Sequence, residues 1–133
     1  MTAEELVREW CATWRTGDVD KLAAAFTEDA VFQNGAHDHA QVGLAEIRAG
    51  IERGFRMSPT IDFRVIHAAA TGDDVVLVER VDVIVSGGEQ VELPIVGVFE
   101  VHDGKIRRWR DYFDRADFRR RLGPAWRDEP VSD

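Results

Sequence analysis

Val75-Val76-Leu77-Val78-Glu79-Arg80-Val81-Asp82-Val83-Ile84-Val85 is the stretch on which the fold turns. A Val- and Ile-rich run of this kind, bounded by turn residues, reads as a long strand. The bounds are Thr71-Gly72-Asp73-Asp74 before it and Ser86-Gly87-Gly88-Glu89 after it. Side chains alternate between the two sides of a strand. Val76, Val78, Arg80, Asp82 and Ile84 therefore share one side, and Val75, Leu77, Glu79, Val81, Val83 and Val85 share the other.

The same period continues outward. Ile61, Phe63 and Val65 alternate with polar residues before the first turn. Gln90 to His102 is a further strand, Asp103-Gly104 is a tight hairpin signal, and Lys105 to Asp114 is the last strand. Towards the N-terminus the period becomes helical. Thr2 with Glu5 forms a capping box, and Leu6, Trp10 and Trp14 follow on one helix face. Gly17-Asp18 breaks that helix, and Asp18 caps a shorter one through Leu22 and Phe26. Ala30 to Asn34 is a short strand, and Gly35 to Gln41 is polar and loop-like. Leu44, Ile47, Ile51 and Phe55 mark a third helix that ends before Pro59. Helices first and antiparallel strands after them predict an α+β domain with helices packed on one face of a sheet. Residues 1–133 are expected to form one such domain, with a surface tail from about residue 120 to 133.

Composition narrows the function classes. The chain has 133 residues and 44% hydrophobic residues, four of them Trp, so it can build a core without staples. Its net charge of −8 argues against a nucleic-acid partner, because proteins that grip phosphate backbones are basic. Lys105 to Arg121 holds one Lys and seven Arg against three Asp, a local net of +5, which reads as a solvated strand face and a helix end. A single cysteine, Cys11, fits a reducing compartment. The first residues lack the basic start and apolar run of a signal peptide, and no stretch suits a bilayer span. A cytoplasmic location is the expectation.

Alternation also exposes polar residues on apolar faces. Trp109, Asp111 and Phe113 share one side of the last strand, with Arg108, Arg110 and Tyr112 on the other. Arg80 and Asp82 are neighbours on one side of the long strand, and Phe32 and Asn34 point the same way on the first. Buried charges are costly unless paired, so one Arg, two Asp and an Asn suggest a mutually satisfied network. Two uses fit it. It could be structural, with Arg80 and Asp82 as an ion pair and Asp111 capping a backbone donor. It could instead be an acid–base pair, since crowding and burial push two carboxyl pKa values apart and leave one protonated and one ionised near neutrality.

The strings Glu79-Arg80-Val81-Asp82, Gly97-Val98-Phe99-Glu100-Val101, Asp103-Gly104-Lys105-Ile106 and Trp109-Arg110-Asp111-Tyr112-Phe113-Asp114, in that order and spacing, resemble the limonene-epoxide hydrolase family. That family lies within the nuclear-transport-factor-like superfold. The resemblance is strongest from about Val75 to Phe118. It implies a cone: a curved, mixed, mostly antiparallel sheet with helices packed on it. It also implies addition of water to a small apolar epoxide, giving a vicinal diol, without a metal or organic cofactor. By position, Asp82 would be the general acid on the epoxide oxygen and Asp111 the general base on water. Arg80 would bridge both, and Asn34 would hold the water. A homodimer is expected from the resemblance. Phe32, Trp109 and Phe113 are expected as substrate-binding walls; for Trp109 and Phe113 this follows from their place on either side of Asp111, and ordinary core packing explains those two almost as well. One position departs from the family pattern. A Tyr would stand two residues before the Asn, and here it is Phe32. The absent phenol leaves open an isomerase, dehydratase or cyclase using the same residues, or a non-catalytic small-molecule binding domain.

The remaining candidates carry less. His37-Asp38-His39 in a polar loop is read as solvated, with His37 or His39 a conceivable substitute for the missing phenol. Tyr112 is not, because alternation places it opposite Asp111. Trp10 and Trp14 are read as core, while Phe55, Met57, Leu93 and Ile95 could be core or cavity lining. There is no Gly-rich phosphate loop and no nucleophile elbow, and Ser58, Ser86 and Cys11 have no evident catalytic partner.

Overall fold

The capping box at Thr2 forms as the sequence predicts: Thr2 Oγ1 accepts from the Glu5 N–H, and the Glu5 carboxylate accepts from the Thr2 N–H. The structure is a computed structural model that describes residues 1–35 and 40–123. Thr2 starts α1 (Ala3–Thr13), which runs into a single 3-10 turn (Trp14–Thr16) and stops at Gly17, whose φ of 71° is left-handed. Asp18 caps α2 (Val19–Ala24) by accepting from the Lys21 N–H. The strands β1 (Phe26–Asn34) and β2 (Ala40–Val42) follow, then α3 (Leu44–Met57). The chain continues through β3 (Ile61–Thr71), β4 (Val75–Ser86), β5 (Glu89–His102) and β6 (Lys105–Tyr112), and then α4 (Arg115–Leu122).

The six strands form one sheet in the order β2-β1-β6-β5-β4-β3. All neighbours are antiparallel except β1 and β6, which are parallel. This is the mixed, mostly antiparallel α+β sheet expected. Its register shifts between Phe26 and Val31, between Val65 and His67, and between Glu100 and Val101. Irregularities of this kind bend and twist strands, which is how a sheet curls around its helices. The Asp103-Gly104 hairpin has both residues at positive φ, 49° and 75°, the geometry whose twist matches its flanking strands.

Four local expectations need correction. α2 ends at Ala24 rather than continuing to Phe26; Phe26 instead opens β1 and is buried against Trp10, with ring centroids 5.6 Å apart. β1 therefore starts four residues earlier than Ala30. Ala40 and Gln41, expected to end a loop, join Val42 in a short edge strand that pairs with β1. The last strand stops at Tyr112, because Asp114 caps α4 by accepting from the Asp117 N–H. Phe118 and Leu122 of that helix are partly buried and pack against the core.

The core lies between α1, α3 and the inner sheet face. Trp10 is its hub: Trp14, Phe26, Phe99 and Trp109 surround it at centroid distances of 4.9–5.6 Å, mostly edge to face. Its indole N–H donates to the Leu22 carbonyl at 3.2 Å, so it brings no unsatisfied donor inside. No helix among the described residues is long and apolar enough to cross a membrane.

Candidate active site

The strand pairings place the site before any side chain is considered. Across the sheet, Asn34 pairs with Asp111, Asp111 with Gly97, and Gly97 with Val78. The next row on the same face is Phe32, Trp109, Phe99 and Val76. The sheet thus sets a polar row beside an aromatic one. Arg80 lies one step beyond Val78 on β4, and Asp82 follows it.

Arg80 is fully buried and its guanidinium joins the two carboxylates. Nε donates to Asp82 Oδ1 at 2.7 Å and Nη2 to Asp82 Oδ2 at 3.1 Å. Nη1 donates to Asp111 Oδ1 at 2.9 Å and Nη2 to Asp111 Oδ2 at 2.6 Å. Both contacts are bidentate, the geometry that suits the planar guanidinium fork. The Phe63 ring supplies its face 4.3 Å from Arg80 Cζ. The Trp109 indole N–H donates to Asp111 Oδ1 at 2.8 Å. Asp111 therefore does not cap a backbone donor with its side chain; it is held by an arginine and an indole.

To reach Asp111, the guanidinium crosses β5 directly over Gly97. A methyl group at Gly97 would sit 2.6 Å from Arg80 Nη1 and 3.0 Å from Asp111 Oδ1. The bare backbone is what lets the triad close. This role was not visible in the sequence, where Gly97 reads only as one residue of a strand. The indole donor on Asp111 was also missed, since Trp109 reads as a wall. Its signal is the Trp-x-Asp spacing, which puts both side chains on one strand face.

Electrostatics follow from burial. One buried guanidinium with one ionised carboxylate is neutral overall; a second ionised carboxylate would leave a net charge in a dry site. Burial pushes the Asp82 carboxyl up to about 7, against the pull of Arg80 and with a push from Asp111. Burial works against the Arg80 charge, but Asp111 and Asp82 more than offset it and hold Arg80 well above its ordinary value.

A cavity of about 250 Å³ opens onto this arrangement. Asn34, Asp82, Asp111, Phe32, Trp109 and Phe113 all line it. Arg80 does not; it stands behind the two carboxylates, 0% exposed. Met57, Leu93 and Ile95 also line the wall; Trp14 does so too, in addition to packing in the core, whereas Phe55 packs beside Trp14 at 5.6 Å. Phe32 stacks on Trp109 at 3.6 Å, and Phe113 on Phe118 at 4.0 Å. Tyr112 faces away and is exposed, as alternation predicts. Cys11 is buried, and desolvation pushes its thiol up to about 12. His37, Asp38 and His39 lie outside the described residues, as does the tail beyond Gly123.

Residues 7–109 match the SnoaL-like domain. The chain belongs to the SnoaL-like family. Over 104 residues it is 38% identical to epoxide hydrolase EphG of Mycobacterium tuberculosis (strain ATCC 25618 / H37Rv), a match that covers 75% of this chain and 65% of that protein's length. The fold of an LEH-like epoxide hydrolase from M. tuberculosis superimposes with a TM-score of 0.79 at 28% identity, over 90% of this chain and 88% of that one. The same fold recurs in a protein of other description. A protein from Xanthomonas campestris pv. campestris, described as a candidate polyketide cyclase, superimposes with a TM-score of 0.82 at 22% identity, over 91% of this chain and 96% of that one. That likeness is one of fold alone.

Proposed function

We propose that this chain is an epoxide hydrolase that opens a small to medium apolar epoxide with water in one step. The observation that carries the proposal is the bidentate bridging of Asp82 and Asp111 by one buried arginine, with both carboxylates on the cavity wall. Such a pair can supply one acid and one base at neutral pH. Asp82, pushed up to about 7, keeps a proton to give. Asp111 is the base, held in place by Arg80 and Trp109.

In the proposed reaction Asn34, paired in register with Asp111, orients a water through its side-chain amide. Asp111 takes a proton from that water as its oxygen attacks a ring carbon. The carbon–oxygen bond breaks, and the ring oxygen takes the proton of Asp82. The product is a vicinal diol, and exchange with solvent moves the proton from Asp111 back to Asp82. Arg80 touches no substrate. It acts as a positioning residue that keeps the two carboxyl groups at fixed angles and their combined charge near neutral. The apolar wall selects a hydrophobic substrate.

One observation favours a second reading. Phe32 brings no hydroxyl to the cavity, and its ring is stacked flat on Trp109. A less firmly held water favours rearrangement of the substrate by the same acid and base, as in an isomerase, dehydratase or cyclase. Product identity separates the two when a panel of cyclic and aryl epoxides is incubated with the protein. Hydrolysis gives diol; isomerisation leaves the mass unchanged; a binding domain gives saturation without turnover.

The active form is proposed to be a homodimer. Its support is the outer sheet face, where Val96 and Tyr112 are in register and both exposed, with Leu77 exposed nearby. Large apolar side chains grouped in this way suit a protein partner.

A further inference from the structure

Gln41 sits on β2 directly opposite Phe32 of β1, so the two side chains share a sheet face. It is half-buried and lines the cavity, as does Gly50 of α3. The Gln41 carboxamide lies over Gly50, where a methyl group would fall 2.7 Å from both Nε2 and Oε1. Gly50 thus keeps a berth open for the amide in the cavity wall. Among the described residues, no group hydrogen-bonds that amide. It nevertheless offers two donors and an acceptor. Water can serve them while the cavity is empty. A hydrocarbon that displaced the water would leave them unmet, whereas a ligand oxygen would replace it. The Gln41–Phe32 row is two residues along the strand from the Asn34–Asp111 row, roughly 7 Å at the rise of a β-strand.

We propose that Gln41 is a substrate-selecting residue whose amide binds a carbonyl or hydroxyl oxygen on the substrate, in the sheet row next to the one that carries Asn34 and Asp111. The substrate class is then an oxygenated apolar epoxide rather than a plain hydrocarbon oxide. The inference rests on the reading of this cavity as the place where an epoxide is opened, but its test does not depend on turnover. Trp14 and Trp109 line the cavity, so their fluorescence reports occupancy. The experiment titrates the protein with an alkylcyclohexane and with the matched cyclic ketone, neither of which can react. Wild type is expected to bind the ketone roughly tenfold more tightly, the worth of one hydrogen bond. Gln41→Leu is expected to abolish that ratio. Gly50→Ala, which displaces the amide without removing it, is expected to lower the ratio in the same direction. A wild-type ratio near one, or a ratio unchanged in Gln41→Leu, overturns the proposal. If the ratio behaves as expected but no epoxide is opened, the subsite stands and the hydrolase reading falls.

Discussion

Arg80 reaches Asp111 only because position 97 has no side chain: a Cβ there would lie 2.6 Å from Arg80 Nη1. The guanidinium is on β4 and the carboxylate on β6, with β5 between them. Gly97 is thus a part of the triad that contributes no atoms to the chemistry. Gly97→Ala is expected to push the guanidinium off Asp111. Misplacement of a catalytic group by about 1 Å can cost roughly 100-fold. A loss of kcat/KM of that order is expected, with overpacking lowering stability by about 1–3 kcal/mol. Steady-state kinetics and a urea melt of the same variant check both.

The second expectation concerns pH. Asp82 must be protonated to act as the acid, and burial pushes it up to about 7. kcat/KM is expected to fall as pH rises, with a midpoint near that value. Stability should follow the same group. The folded state binds this proton more tightly than the unfolded one, whose carboxyl has the ordinary value of 3.8. The contribution is therefore complete below the ordinary value and is lost as pH rises through the folded value. Asp82→Asn is expected to flatten that part of the stability curve, as measured by urea melts from about pH 5 to about pH 8.

Phe32→Tyr would return a hydroxyl to the cavity edge of a ring already stacked on Trp109. A recovered hydrogen bond contributes about 0.5–1.5 kcal/mol, up to roughly tenfold in rate. The variant is expected to raise the diol yield by up to that factor and to lower any isomer fraction. Chromatography of the products from one epoxide checks it.

Val96→Lys places a charge at the centre of the exposed apolar patch formed with Tyr112. A homodimer through this face is expected to scatter as twice the 15.0 kDa chain in wild type and as a single chain in the variant. Wild type that scatters as one chain at every concentration removes the homodimer.

Much of this site could be read from strand alternation, and the reason lies in the strands themselves. β4, β5 and β6 are long and regularly paired, so one-sidedness in the sequence becomes one-sidedness in space. Arg80 and Asp82 emerge on the buried side of β4 together with Val76, Val78 and Ile84, and Asp111 emerges between Trp109 and Phe113. What alternation cannot encode is the diagonal crossing over Gly97, which depends on the register of three strands at once. It also fails at short elements. Three residues at Ala40–Val42 are too few to show a period, so the strand carrying Gln41 looked like a loop. Phe26 misled for a different reason. It continues the spacing of Leu22, but its ring is taken by Trp10 in a tertiary contact that outweighs local propensity. The arginine-rich run after Asp114 hid α4, because Phe118 and Leu122 are its only large apolar residues facing the core.

The most direct test of the account is a single turnover of a cyclic epoxide in isotopically heavy water by wild type and by Asp111→Asn. Direct attack by water activated at Asp111 requires diol carrying one heavy oxygen from wild type in the first turnover and essentially none from the variant. Diol that lacks the label in that first turnover would mean that a carboxylate, rather than water, attacked the ring. No diol from any epoxide, with the substrate returned at unchanged mass as an isomer, would contradict hydrolysis and assign the same acid and base to rearrangement.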